Sequence, residues 1–141
     1  MGMLDKWFGG HKDYPSLAAD SEAQSHLDEV KAQLETLADE IKDPMEVVPA
    51  DHAAYVFIGK PPTRFGLAWI HDGKLSNFKN LVEEKHLSPP RMEKLVDDLR
   101  DAYTHAKDAQ RYKSTVGDRD VTVIPSESLE KEVQEIIRDV T

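Results

Sequence analysis

The sequence predicts an α+β domain in which an antiparallel sheet of about five strands packs against helices, in the element order α-βββ-α-ββ-α. Two apolar runs, residues 53–58 and 65–70, are followed by Asp72-Gly73 and are typical of consecutive strands. Three other segments carry apolar residues at helical spacing, and they lie before, between and after the strand segments. Together these patterns indicate one layered domain.

Composition limits both the fold and the function. The chain has 141 residues, no cysteine and a formal net charge of −9. A chain of this length buries enough surface to fold as one domain, and the absence of cysteine excludes disulfides and thiolate chemistry. Binding to nucleic acids or anionic membranes requires clustered Lys and Arg, and the sequence has no such cluster. No apolar run is long enough to span a bilayer. We therefore expect a cytoplasmic protein without a cofactor, a nucleic-acid partner or a membrane partner.

The first 20 residues differ in composition from the rest of the chain. Gly9-Gly10 and Pro15 interrupt any regular pattern there. We expect residues 1–20 to form a flexible N-terminal segment and residues 21–141 to form the single α+β domain.

The first helix is predicted over residues 21–42. Ser21 and Gln24 fit a capping box at its start, and Asp43-Pro44 ends it because the residue before a proline avoids the α region. Its apolar residues follow the spacing 4-3-4-3-4 of a coiled-coil seam. They are Ala23, Leu27, Val30, Leu34, Leu37 and Ile41.

Three strands are predicted to follow. Residues 53–58 are apolar on both faces, which is typical of a central strand. Gly66 in the second strand indicates a bulge or a close backbone approach. Asp72-Gly73 favours a type I′ turn, so we expect a third, more polar strand over residues 74–79 nearer an edge.

A second amphipathic helix begins near Ser88-Pro89, since serine can cap a helix and proline at the first position loses no hydrogen bond. A short helical turn over residues 80–86 is predicted just before it. The apolar stripe of the second helix extends to Ala106 and is about wide enough to cover a sheet face.

The last part of the chain predicts a hairpin and a third helix. Residues 111–116 and 119–124 flank a turn, and Ser126 can cap the helix that follows. This element order, in a small acidic chain, is similar to that of type III secretion chaperones and their structural relatives. The resemblance implies a layered α+β fold, and no sequence motif contributes to it.

The sequence contains no motif of a known reaction or cofactor. Phosphate-binding glycine loops, the G-x-S-x-G elbow and H-E-x-x-H are absent. His26 and His105 each have carboxylates at helical neighbour spacing. Each group could hold a hard cation or zinc, but the pattern is more typical of a salt-bridged surface, so no metal site is predicted. His71 beside Asp72 resembles an oriented general base, but adjacent strand residues point to opposite faces, so we expect their side chains not to meet.

The favoured function is a non-catalytic protein-interaction or chaperone-like module that uses the first helix or an open sheet face. Its partner would be a client protein or a second copy of the chain. The residues predicted to form this interface are Leu27, Val30, Leu34, Leu37 and Ile41.

The alternative is a small-ligand-binding regulatory domain with a pocket between the sheet and the second helix. Trp69 and Tyr103 would form its walls, and Arg64 or His71 would supply the polar contact. A third hypothesis is an enzyme that uses His71 or a triad of distant residues, for which the sequence shows no nucleophile, metal set or cofactor loop.

Overall fold

The computed structural model describes residues 14–141 of the chain, which form five helices and six strands. The helices are α1 (Glu22–Glu29), α2 (Lys31–Glu40), α3 (Phe78–Lys85), α4 (Pro89–His105) and α5 (Glu127–Val140). The strands are β1 (Met45–Ala50), β2 (Ala53–Lys60), β3 (Arg64–His71), β4 (Lys74–Asn77), β5 (Tyr112–Val116) and β6 (Arg119–Val123).

The strands form one sheet in the order β4-β3-β2-β1-β6-β5. The predicted α+β class is confirmed, but the sheet has six strands rather than about five and is mixed rather than antiparallel. Helices α3 and α4 carry the chain from the β4 edge to the β5 edge. The β5–β6 hairpin then enters with β6 parallel to β1, a pairing that needs such a long crossover.

Strand β1 was not predicted from the sequence. It contains Glu46 and Pro49, which are uncommon inside a sheet. Proline is accepted because the β1–β6 ladder contains only the pairs of Glu46 with Thr122 and Val47 with Val123. Pro49 lies beyond that ladder, where its missing N–H leaves no β6 partner unsatisfied.

The predicted first helix is two helices in the structure. Ser21 caps α1 as expected, accepting a 3.1 Å hydrogen bond from the backbone N–H of Gln24. Val30 leaves the helical region with φ −119° and ψ 21°, which separates α1 from α2. The guanidinium of Arg119 then donates to the backbone carbonyls of Ile41 and Asp43, and so satisfies carbonyl groups just after the end of α2.

Helices cover both faces of the described sheet. Helices α3, α4 and α5 lie on one face, and α1 and α2 lie on the other. The predicted interface residues Leu27, Val30, Leu34 and Leu37 are 4%, 3%, 1% and 4% exposed, because they pack on this chain's own sheet. Ile41 is partly buried beside the same cluster. The structure therefore corrects the expectation that this seam, or an open sheet face, is presented to a partner.

The chain ahead of α1 contacts the sheet edge. The backbone N–H of Leu17 donates to the carbonyl of Lys113, and the N–H of Lys113 donates to the carbonyl of Pro15, both at 2.9 Å. The first 13 residues of the predicted N-terminal segment lie outside the described residues. None of the helices within residues 14–141 combines the length and the apolar content needed to cross a bilayer.

Candidate functional site

The four residues predicted to bind a ligand lie in three different places. Trp69 and His71 line one pocket beside α5. Tyr103 belongs to a buried polar cluster, and Arg64 lines a groove at the opposite end of β3. Trp69 and His71 come together because residues two apart on a strand share a face.

The pocket that contains Trp69 lies between the sheet and the end of α5, and we call it the aromatic pocket. Its volume is about 510 Å³. Tyr55, Trp69 and Ile137, which are 4%, 6% and 6% exposed, supply its apolar surface. Its polar lining consists of His71, Asp72, Lys74, Ser76, Gln134, Arg138 and Thr141. The pocket therefore lies against the last helix rather than the second predicted helix.

Strand register explains the sheet side of the aromatic pocket. Trp69 pairs with Tyr55 on β2 and with Ser76 on β4, and His71 pairs with Lys74. Cross-strand partners project on the same face, so these five side chains line one surface. The Asp72-Gly73 turn could have predicted the contributions of Lys74 and Ser76. The α5 residues carry no such local signal.

His71 and Asp72 are in contact, contrary to the expectation from strand alternation. The Nδ1 atom of His71 lies 3.2 Å from Oδ2 of Asp72. Asp72 has a φ of 53° and belongs to the turn, so the alternation of strand side chains does not apply to it. Both side chains are exposed, at 62% and 86%, so this contact contributes little stability.

The geometry around His71 lacks the arrangement of a catalytic triad. Ser76 is a diagonal cross-strand neighbour of His71, and such neighbours are about 7–8 Å apart. Within residues 14–141, no hydrogen bond joins His71 to a hydroxyl group. The contact with Asp72 therefore orients an imidazole at the rim of the pocket without activating a nucleophile there.

The rim of the aromatic pocket has a positive balance on an acidic protein. Among the described side chains that line it, Lys74 and Arg138 are cationic and Asp72 is the one carboxylate. The Nζ atom of Lys74 has a weak exposed contact of 3.8 Å with Glu84. Arg138 has no carboxylate within ion-pairing distance in the part of the chain that the structure describes. Its guanidinium is therefore available to an anion.

Burial makes the phenol of Tyr55 harder to ionise. Desolvation raises the pKa of Tyr55 above its usual value, and the nearby carboxylate of Glu130 raises that pKa further. A phenol that stays protonated keeps a hydrogen-bond donor at the end of an otherwise apolar ring.

Tyr103 instead completes a buried polar cluster that the sequence did not predict. Its hydroxyl donates a 2.7 Å hydrogen bond to Oε1 of Glu46, and Nε of Arg111 lies 3.8 Å from the same oxygen. Burial raises the pKa of Tyr103, and the Glu46 carboxylate raises it further. This cluster joins α4 to β1 and to Arg111, the residue just before β5, and we assign it a structural role.

Arg64 lines a second depression, which we call the basic groove. Its volume is about 890 Å³. Its cations are Lys60, Arg64 and Lys79, and Asp43 is the carboxylate in its lining. Its larger apolar residues are Ile41, Ile58, Phe65, Leu67 and Phe78. Gly66 lies on its sheet side, where an added Cβ would meet nothing within 4 Å.

Comparisons with protein-family models, with curated proteins and with solved structures each found no match to this chain. The function is therefore inferred from the geometry of the two depressions alone.

Proposed function

We propose that this chain is a cytoplasmic small-ligand-binding regulatory domain, and that the aromatic pocket binds an organic anion with a flat or apolar body. One observation carries the proposal: a cationic rim borders an apolar surface on a protein whose net charge is −9. The volume of about 510 Å³ is within the range of about 300–1,000 Å³ that is usual for small-molecule pockets.

The two kinds of lining residue have different roles. Trp69 and Tyr55 offer broad apolar surface that favours an aromatic or aliphatic body. The unpaired guanidinium of Arg138 can hold a carboxylate or phosphate in a bidentate contact, and Lys74 adds a second positive charge. We therefore expect the pocket to select ligands in which one anionic group is attached to one apolar group.

The test is a thermal-shift screen of the full chain with aromatic and aliphatic carboxylates and phosphates, each paired with its uncharged ester or amide. Anions that bind the folded state raise the melting temperature, and their neutral analogues do not. Hits are then measured by calorimetry. A screen in which no anion raises the melting temperature contradicts the proposal.

Substitution of Arg138 at the rim tests whether a hit binds in the aromatic pocket. Arg138→Gln should weaken a hit at least about tenfold, since a hydrogen bond to a charged group contributes about 1.5–3 kcal/mol. Arg91→Gln is the matched control, because Arg91 is an exposed arginine on α4 that does not line the pocket. Equal weakening in both variants would mean that the anion does not bind at Arg138.

The basic groove supports a second candidate function, which is protein interaction. The partner would bind in this accessible groove rather than on the seam of the first predicted helix, which is buried. Lys60, Arg64 and Lys79 border apolar residues there. Charge complementarity favours an acidic segment of a partner protein that also carries apolar side chains. Client binding of this kind would be chaperone-like.

Gly66 offers a direct test of this second candidate. Gly66→Leu would place a side chain in the groove, because an added Cβ meets nothing within 4 Å. A peptide of alternating glutamate and leucine should bind the wild-type chain and should bind this variant at least about tenfold more weakly. A lysine–leucine peptide is the control. Equal binding of both peptides, or equal binding to both proteins, contradicts this candidate.

A further inference from the structure

Another group of polar side chains lies where α1 meets the turn between β1 and β2. His26 and Glu29 are three residues apart on α1, and Nδ1 of His26 lies 3.3 Å from Oε1 of Glu29. Asp51 approaches from the turn. One ligand atom from each of His26, Glu29 and Asp51 lies within 4.8 Å of the other two. Two distant parts of the sequence thus bring an imidazole and two carboxylates together.

His52 adds a second imidazole to the same place. Its backbone N–H donates a 2.9 Å hydrogen bond to Oε1 of Glu29. Its Nδ1 atom lies 3.5 Å from Oε2 of Glu29, and its Nε2 atom lies 3.5 Å from Oδ1 of Asp51. The imidazole therefore contacts both carboxylates of the group.

The position of His26 also borders a cleft. This cleft, of about 240 Å³, lies between α1 and the start of α5, and Pro49 and Pro125 form part of its wall. The cleft and the turn together hold five carboxylates, from Glu22, Glu29, Asp51, Glu127 and Glu130. Lys131 is the nearby cation, and its Nζ atom is already 2.9 Å from Glu127. The local charge therefore favours a cation.

We propose that His26, Glu29, Asp51 and His52 form a binding site for a divalent transition-metal ion such as Zn²⁺. Neutral imidazole and carboxylate are the ligands that Zn²⁺ accepts in proteins, whereas Mg²⁺ prefers oxygen ligands alone. This inference is independent of the aromatic pocket, since the two sites share no lining residue.

Distances between the ligand atoms fit this metal. Ligands that surround Zn²⁺ tetrahedrally at about 2.0–2.1 Å are about 3.3–3.4 Å from one another. Nδ1 of His26 lies 3.3 Å from Oε1 of Glu29, and Nδ1 of His52 lies 3.5 Å from Oε2, so each imidazole is at about that separation from one oxygen of the Glu29 carboxylate. One carboxylate oxygen of Asp51 lies within 4.8 Å of the His26 and Glu29 ligand atoms, and the exposed Asp51 side chain would have to rotate to reach about 3.4 Å from them. The bound ion would tie α1 to the β1–β2 turn.

The experiment is a calorimetric titration of the EDTA-treated and dialysed full chain with ZnCl₂, repeated with MgCl₂. We expect Zn²⁺ to bind with a stoichiometry that falls by one site in His26→Gln, and Mg²⁺ to bind at least about tenfold more weakly than Zn²⁺. His105→Gln is the matched control, because His105 forms an exposed 2.9 Å pair with Glu132 that includes no third ligand. This control should keep the site.

Asp51→Asn provides a second variant on an exposed turn, and circular dichroism verifies that each variant is folded. This substitution should weaken Zn²⁺ binding at least about tenfold. Absence of Zn²⁺ binding by the wild-type chain overturns the proposal. Unchanged binding in both folded variants, or an equal loss in His105→Gln, also overturns it.

Discussion

The hydroxyl of Tyr103 donates a 2.7 Å hydrogen bond to Oε1 of Glu46 and so links α4 to a central strand through a carboxylate that is 8% exposed. Arg111, also 8% exposed, lies 3.8 Å from this oxygen and donates from Nη1 to the carbonyls of Ala106 and Ala109. The buried negative charge of Glu46 is therefore compensated by a cation and a hydrogen-bond donor. A buried charge of this kind becomes costly when a partner is removed.

Removing the hydroxyl of Tyr103 should destabilise the fold. Tyr103→Phe keeps the ring packed on Phe57 but removes one hydrogen-bond donor from the Glu46 carboxylate, and the expected loss is about 1.5–3 kcal/mol. Urea denaturation measures the free energy of unfolding. Tyr112→Phe, at a half-buried tyrosine on β5, is the control and should change it by less than about 0.5 kcal/mol. Equal losses in the two variants would argue against a special role for this hydrogen bond.

The stability of the fold at alkaline pH should also depend on Tyr103. Burial and the Glu46 carboxylate hold the pKa of folded Tyr103 above its usual value of 10.0, so the folded state keeps the proton more tightly than the unfolded state. This stability is fully present below pH 10 and is lost as the pH rises through the folded pKa. Unfolding midpoints measured from pH 8 to 11 should therefore fall less steeply in Tyr103→Phe. Parallel curves for the two proteins would contradict the assignment.

Truncation of a seam residue of the first predicted helix, such as Leu34, should lower the stability of the fold and leave the oligomeric state unchanged. Leu34 is 1% exposed and packs between α2 and the sheet, so Leu34→Ala should cost about 2–5 kcal/mol of unfolding free energy. The mass of the native protein, measured by light scattering, should not change. A lower mass with unchanged stability would instead show that the seam joins two copies.

Two glycines of the β2–β3 hairpin should respond differently to alanine. Gly59 has a φ of +108°, and an added Cβ would lie 3.1 Å from the carbonyl oxygen of Arg64, so Gly59→Ala should cost at least about 1–2 kcal/mol. Gly66 has free space and an ordinary strand conformation, so Gly66→Ala should be neutral or stabilise by up to about 1 kcal/mol. Thermal unfolding measures both. Equal effects would mean that the conformation at Gly59 is not required.

Local patterns in the sequence were sufficient for most elements. Residue spacing and caps predicted the helices that begin after Ser21, Ser88 and Ser126, and the Asp72-Gly73 pair predicted the β3–β4 hairpin. These features were accessible because they depend on residues within a few positions of each other. The break between α1 and α2 at Val30 could not be predicted from local patterns, because the apolar spacing of the predicted helix continues across it.

The candidate site was only partly predictable. Trp69 was expected to be a wall of a ligand pocket and His71 its polar contact, and both residues line the aromatic pocket because residues two apart on a strand share a face. Tyr103 and Arg64 were expected in the same pocket, but they lie elsewhere. The place of Tyr103 depends on how α4 crosses the sheet, and Arg64 lies at the end of β3 opposite to His71. Arg138 and Ile137 were missed, because nothing near them in the chain indicates that α5 ends beside β3.

The sequence by itself determined the class of the fold, the periodicity of its helices and the residues that must be buried, since these depend on local spacing and hydrophobicity. Only the tertiary structure decided that both sheet faces are covered, that β1 is a strand, and that α5 completes a cationic rim around Trp69. The physical reason is that an apolar stripe specifies burial but not its partner. The partner follows from strand pairing and crossover connections between residues far apart in the chain.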